Sequence, residues 1–127
     1  MSPVARRLAA VAAALGLSLA ACSSTDTGPG APSSVACENS TAAGQVAAKM
    51  KDTKFAPEPI QAKVGEVVAW TNEDAAPHNA TITGSTCATK MLSAGQTGAI
   101  VFTAPGTYPY TCTIHPTQMK GTIVVTG

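Results

Sequence analysis

Apolar and polar residues alternate in short runs through most of the chain. IQAKVGEVVAWTN (residues 60–72) alternates on both sides of Val64-Gly65-Glu66, which predicts two strands joined by a turn. NATIT (79–83) is a third β-rich run. TGAIVFTAPGTYPYTC (97–112) predicts a strand, a turn at Pro105-Gly106 and a second strand, and GTIVVTG (121–127) predicts a last one. No window from 45 to 127 sustains the 3.6-residue period of an amphipathic helix. Gly65, Gly84, Gly95 and Gly106 punctuate the runs as turn formers. Many short strands at this spacing predict an all-β sandwich or barrel, with Trp70 and Phe102 as core anchors.

The first part of the chain follows another pattern. Arg6 and Arg7 precede an apolar run from Leu8 to Ala21 that only Gly16 and Ser18 interrupt. The run is short and rich in small residues, which fits a secretory signal peptide over 1–21 better than a membrane span. Its end, Leu19-Ala20-Ala21-Cys22, resembles the bacterial lipobox, in which the cysteine is lipidated and becomes the mature N-terminus. Residues 22–44 are dominated by Ser, Thr, Gly, Pro and Ala, have little apolar surface to bury, and are expected to form a flexible tether. The folded domain is expected over 45–127, held by a lipid on Cys22 at the extracytoplasmic face of a bacterial membrane.

Charge removes one class of partner. The chain has 8 Lys and Arg against 7 Asp and Glu; without Arg6 and Arg7 six cations remain, so the side chains from Cys22 onward carry a net −1. No basic stripe is present to hold nucleic acid. A domain starting at residue 45 buries only a modest core, so a metal or a disulfide would add useful stability.

The candidate chemistry lies in CTIHPTQM (112–119), where Cys112, His115 and Met119 fall within one short segment. The chain's other histidine, His78, sits far upstream in EDAAPHNAT, on a loop leading into a strand. A lone histidine is more often a packed or surface residue than a ligand, but here both lie at loop–strand junctions and one shares its loop with Cys and Met. Two imidazoles, a thiolate and a thioether form a soft, mixed N/S donor set. Structural zinc sites seldom use thioether, whereas a His₂Cys plane with a weak axial Met describes a blue-copper electron-transfer site. A Ser/His/Asp hydrolase set is excluded once both histidines bind metal, so no enzyme activity is expected.

These motifs carry a specific resemblance. KVGEVVAWTNEDAAPHN, APGTYPYTCTIHPTQMKGTIVV and the order His…Cys-x₂-His…Met resemble small cupredoxins of the plastocyanin and amicyanin kind, over residues 45–127. The resemblance implies a Greek-key β-sandwich with one copper ion at one end, cycling between Cu(I) and Cu(II). His78, Cys112 and His115 would be the strong ligands and Met119 the axial one. Asn79 matches the asparagine that follows the first ligand, whose backbone amide points at the thiolate sulfur and whose side chain ties the two ligand loops. The three residues between His115 and Met119 depart from the family: amicyanin-like loops are one shorter and plastocyanin-like loops one longer. Gln118 is therefore a rival axial ligand, although Met119-Lys120-Gly121 matches the family's Met-x-Gly. Thr111 stands where plastocyanins carry an exposed tyrosine, so an aromatic electron route beside the thiolate is not expected.

The implied function is a membrane-tethered monomer passing single electrons between extracytoplasmic redox proteins, through the edge of His115 and an apolar patch of Ala76, Pro77 and Pro116. Copper delivery to an exported enzyme would use the same ligands. Cys37 and Cys87 remain unassigned, and spare cysteines of an exported protein usually join. Two separate thiols, or a second soft-metal site with Met91, are the alternatives.

Overall fold

Inward and outward positions alternate along the strands as the sequence predicts. In the computed structural model, which describes residues 36–127, Ile60 and Ala62 of one short strand are buried while Gln61 and Lys63 face out. The expected signal peptide, Cys22 and the tether through residue 35 lie outside the described residues.

The strands are β1 (Cys37–Ser40), β2 (Val46–Lys51), β3 (Lys54–Ala56), β4 (Ile60–Lys63), β5 (Val67–Asn72), β6 (Thr81–Ile82), β7 (Thr97–Phe102), β8 (Gly106–Thr111) and β9 (Lys120–Thr126). They form two sheets, ordered β1-β7-β5-β2-β3 and β4-β9-β8-β6. The chain passes between the sheets at β3–β4, β4–β5, β5–β6, β6–β7 and β7–β8. These crossings leave two parallel pairs, β2 with β5 and β4 with β9, among otherwise antiparallel neighbours. The result is an all-β sandwich. Among the described residues no helix is long and apolar enough to cross a membrane.

The core lies between the sheets. Trp70, Phe102, Tyr110, Met50, Ile60, Ile100 and Ile123 are fully buried. Trp70 meets the Tyr110 ring edge-on at 5.5 Å between centroids, and its indole N–H donates to the Tyr110 hydroxyl at 3.4 Å. That partner makes burial of both polar tips tolerable. Burial pushes the Tyr110 phenol well above its ordinary pKa, so it stays neutral. Gly121 lets the Tyr110 ring lie against β9: a Cβ there would stand 2.6 Å from the ring and from the Glu58 carboxylate.

Three strands precede those the alternation predicts, and β1 starts inside the segment expected to be a tether. β1 pairs with β7, Cys37 opposite Phe102 and Ser40 opposite Ala99, so order begins before residue 45. None of its side chains is fully buried, so it leaves no apolar alternation in the sequence. Backbone pairing holds it in place, as does a disulfide from Cys37 to Cys87 with the α-carbons 6.2 Å apart. β1 is an edge of one sheet, and Cys87 follows β6, an edge of the other. The bridge therefore fastens one open side of the sandwich.

β2 and β3 are joined by a two-residue turn in which Asp52 and Thr53 both have positive φ, 53° and 57°. Such turns usually contain glycine, and this one does not.

Candidate metal centre

β5 ends at Asn72 where β7 begins at Thr97, and β8 ends at Thr111 where β9 begins at Lys120. Two loops emerge at this end of the sandwich: 73–80 after β5 and 112–119 between β8 and β9.

The downstream loop is shaped by its own backbone. Cys112 N–H donates to Met119 C=O at 3.0 Å, closing its base. His115 N–H donates to Cys112 C=O at 3.2 Å, and the amides of Gln118 and Met119 both donate to His115 C=O. These turns bring His115 back over Cys112. Cys112 and Met119 are fully buried, His115 is half-buried, and Gln118 is exposed. Of the two candidate axial residues, Met119 is thus the one facing the interior.

The upstream loop is held by a buried polar framework. Asn72 is fully buried; its side-chain NH₂ donates to Ala76 C=O and Leu92 C=O, each at 2.8 Å, and its carbonyl accepts from Asp74 N–H at 2.9 Å. His78 and Leu92 exchange backbone hydrogen bonds of 3.1 and 2.7 Å. The fully buried His78 ring is therefore fixed at its backbone, and its Nε2 lies 2.9 Å from Asp74 Oδ2.

The loops converge on three donors. Cys112 Sγ lies 3.9 Å from His78 Nδ1 and 3.9 Å from His115 Nδ1. The three donor atoms lie within 4.8 Å of one another, and the imidazole centroids are 5.0 Å apart. Bonds of about 2.0–2.3 Å to one first-row ion span such separations. Two neutral nitrogens and one thiolate suit copper or zinc, and the buried Met119 on the same loop, a soft thioether, tilts the choice toward copper. Asn79 joins the loops: its carbonyl accepts from the Thr113 amide at 2.9 Å and the Thr113 hydroxyl at 3.0 Å, and its NH₂ donates to Thr81 Oγ1 at 3.2 Å.

Asp74 and Thr113 are the participants that the sequence reading passes over. A carboxylate four residues before a candidate ligand on the same loop was the available signal for Asp74, because ligating histidines usually donate their second ring N–H to such a group.

A two-sheet sandwich with a His, Cys, His cluster at one end defines a cupredoxin-like protein. The chain belongs to that family: the cupredoxin-like domain matches residues 10–125. Amicyanin-alpha of Methylorubrum extorquens is 41% identical over 88 residues, covering 65% of this chain and 73% of that protein. Amicyanin of Paracoccus denitrificans is 34% identical over 87 residues, covering 65% of this chain and 66% of that one. Among solved structures, the Cu(I) form of a mutant amicyanin matches with a TM-score of 0.61 at 31% identity, over 70% of this chain and 97% of that one. Amicyanin from Paracoccus versutus matches with a TM-score of 0.63 at 27% identity, over 71% and 97%.

Proposed function

We propose that the protein is a type 1 copper protein that carries single electrons, with His78, Cys112 and His115 as strong ligands and Met119 as the weak axial one. The observation that carries this reading is the placement of Cys112 Sγ 3.9 Å from both histidine Nδ1 atoms, in a chain of this family. Bound copper would supply one reversible electron. The protein's own part is to hold the donors still. Cys112 and His78 are fully buried, which keeps water from the thiolate side, and Asn79 bonds one ligand loop to the other. Rigidity of this kind keeps reorganisation small when the charge changes.

His115 provides the way in and out. It is half-buried, and the surrounding surface offers exposed Ala76, Pro77 and Pro116, with Ile114 47% exposed. A small apolar patch suits the brief docking of redox partners. The protein works as a carrier and not as a catalyst, as a monomer tethered through a lipid on Cys22 to the extracytoplasmic face of a bacterial membrane. Cys22→Ala should release it or leave its precursor uncleaved; fully processed, membrane-bound mutant protein would rule the lipid out.

Copper delivery is the competing reading. The buried thiolate and the framework behind His78 favour a retained metal over an exchanged one. Voltammetry of copper-loaded protein, set beside copper transfer to an apo acceptor, separates the two. A reversible one-electron wave with slow copper loss supports the carrier. Rapid, complete copper transfer without such a wave supports delivery.

A further inference from the structure

We propose that Asp74 is a positioning residue for the metal centre: tied to the β2–β3 turn, it holds His78 in the tautomer that leaves Nδ1 free to face Cys112 and His115. An ionised carboxylate only accepts hydrogen bonds, so at 2.9 Å from Asp74 Oδ2 the proton belongs on His78 Nε2. Nδ1 is then the bare nitrogen, and it is the atom 3.9 Å from Cys112 Sγ.

The carboxylate is itself fixed from the other side. Its Oδ1 accepts from Asp52 N–H at 2.8 Å and its Oδ2 from Thr53 N–H at 3.0 Å. Both donors belong to the glycine-free turn with positive φ, a backbone conformation that is costly for a β-branched Thr. Asp74 satisfies both turn amides and His78 with one side chain, so the turn and the ligand stabilise each other. Asn72, fully buried, accepts from the Asp74 amide and so fixes its backbone.

His115 differs. Among the described residues no side chain is seen bound to its Nε2, and its ring is half-buried. One histidine is locked by a carboxylate relay from a distant turn, and the other is left at the surface. An anion behind His78 also favours the more highly charged metal ion, which lowers the reduction potential.

The inference rests on the copper reading for its purpose, but its first test needs no copper. Histidine ring ¹H–¹⁵N spectra of the apo protein should show His78 as a single Nε2–H tautomer with a ring proton protected from exchange. Asp74→Ala should raise that proton's exchange rate at least about 10-fold, weaken copper binding by about 10–100-fold and raise the potential of the loaded protein. Unchanged tautomer, exchange and copper affinity in folded Asp74→Ala protein would overturn the proposal. Should the alanine variant not fold, Asp74→Asn decides, because it keeps the bulk but loses the charge and one acceptor oxygen. It should speed exchange and weaken copper binding, and wild-type values for both overturn the proposal. Loss of ring-proton protection in a protein that binds no copper would sink the electron-carrier reading and leave the positioning role intact. Tight copper binding with the ring proton unaffected by Asp74 substitution would do the reverse.

Discussion

The two loops of the candidate metal centre face different problems. The downstream loop, residues 112–119, would supply most of the donors: Cys112, His115 and Met119 come from one hairpin connection whose shape is set by four backbone hydrogen bonds within it. The upstream loop would supply one donor, His78, and otherwise consists of restraints. Asn72 and Leu92 bind it from β5 and from backbone elsewhere, and Asp74, within it, ties His78 to the β2–β3 turn. Donor chemistry can thus be concentrated in a short segment, while the rigidity that makes those donors useful has to be drawn from across the fold.

Substitutions in the two loops should therefore fail in different ways. The largest effect belongs to the downstream loop. Cys112→Ser should abolish the thiolate-to-copper absorption outright, because a hydroxyl cannot replace the thiolate donor. The fold should survive, as tryptophan fluorescence from the buried Trp70 would report.

Next comes a change remote from both loops. Breaking the Cys37–Cys87 bridge, which spans 50 residues, should lower stability by about 2–4 kcal/mol in chemical denaturation. The copper spectrum should stay as it is. A spectrum altered as much as stability would mean that the open side of the sandwich controls the metal.

Asn72→Ala acts on the upstream restraints. It removes the donor to Ala76 C=O, one of the two donors to Leu92 C=O and the acceptor of the Asp74 amide, at a cost of about 1–3 kcal/mol. Unlike loss of the disulfide, it should also broaden the copper spectrum. The smallest effects distinguish the axial candidates. Met119→Leu should keep copper and raise the potential, since the axial ligand tunes more than it binds. Gln118→Leu, on an exposed side chain, should stay within about 0.5 kcal/mol of wild type and leave the potential alone. A reversed pair of results would make Gln118 the axial ligand.

The same contrast explains what could be read from the sequence. Cys112, His115 and Met119 stand out in the sequence because they are adjacent and chemically unusual, but their ligand roles come from the resemblance to cupredoxins and not from spacing alone. β4, β5, β7, β8 and β9 were legible because one face is buried, which writes a period of two. β1 was not, because its side chains contribute little to the core and its pairing is a backbone matter. The β2–β3 turn was hidden because Asp52-Thr53 lacks the glycine that marks such turns, its conformation being stabilised by a carboxylate 21–22 residues away. Asp74 was hidden for the same reason: a single acidic residue on a loop usually faces water, and only the folded chain shows what it binds.

Whether these loops together form a copper site is decided by the visible absorption of the wild-type protein titrated with Cu(II). One equivalent should produce intense thiolate-to-copper charge transfer that stops rising at a ratio of one to one. A protein that binds zinc tightly and stays colourless with Cu(II) would contradict the copper reading.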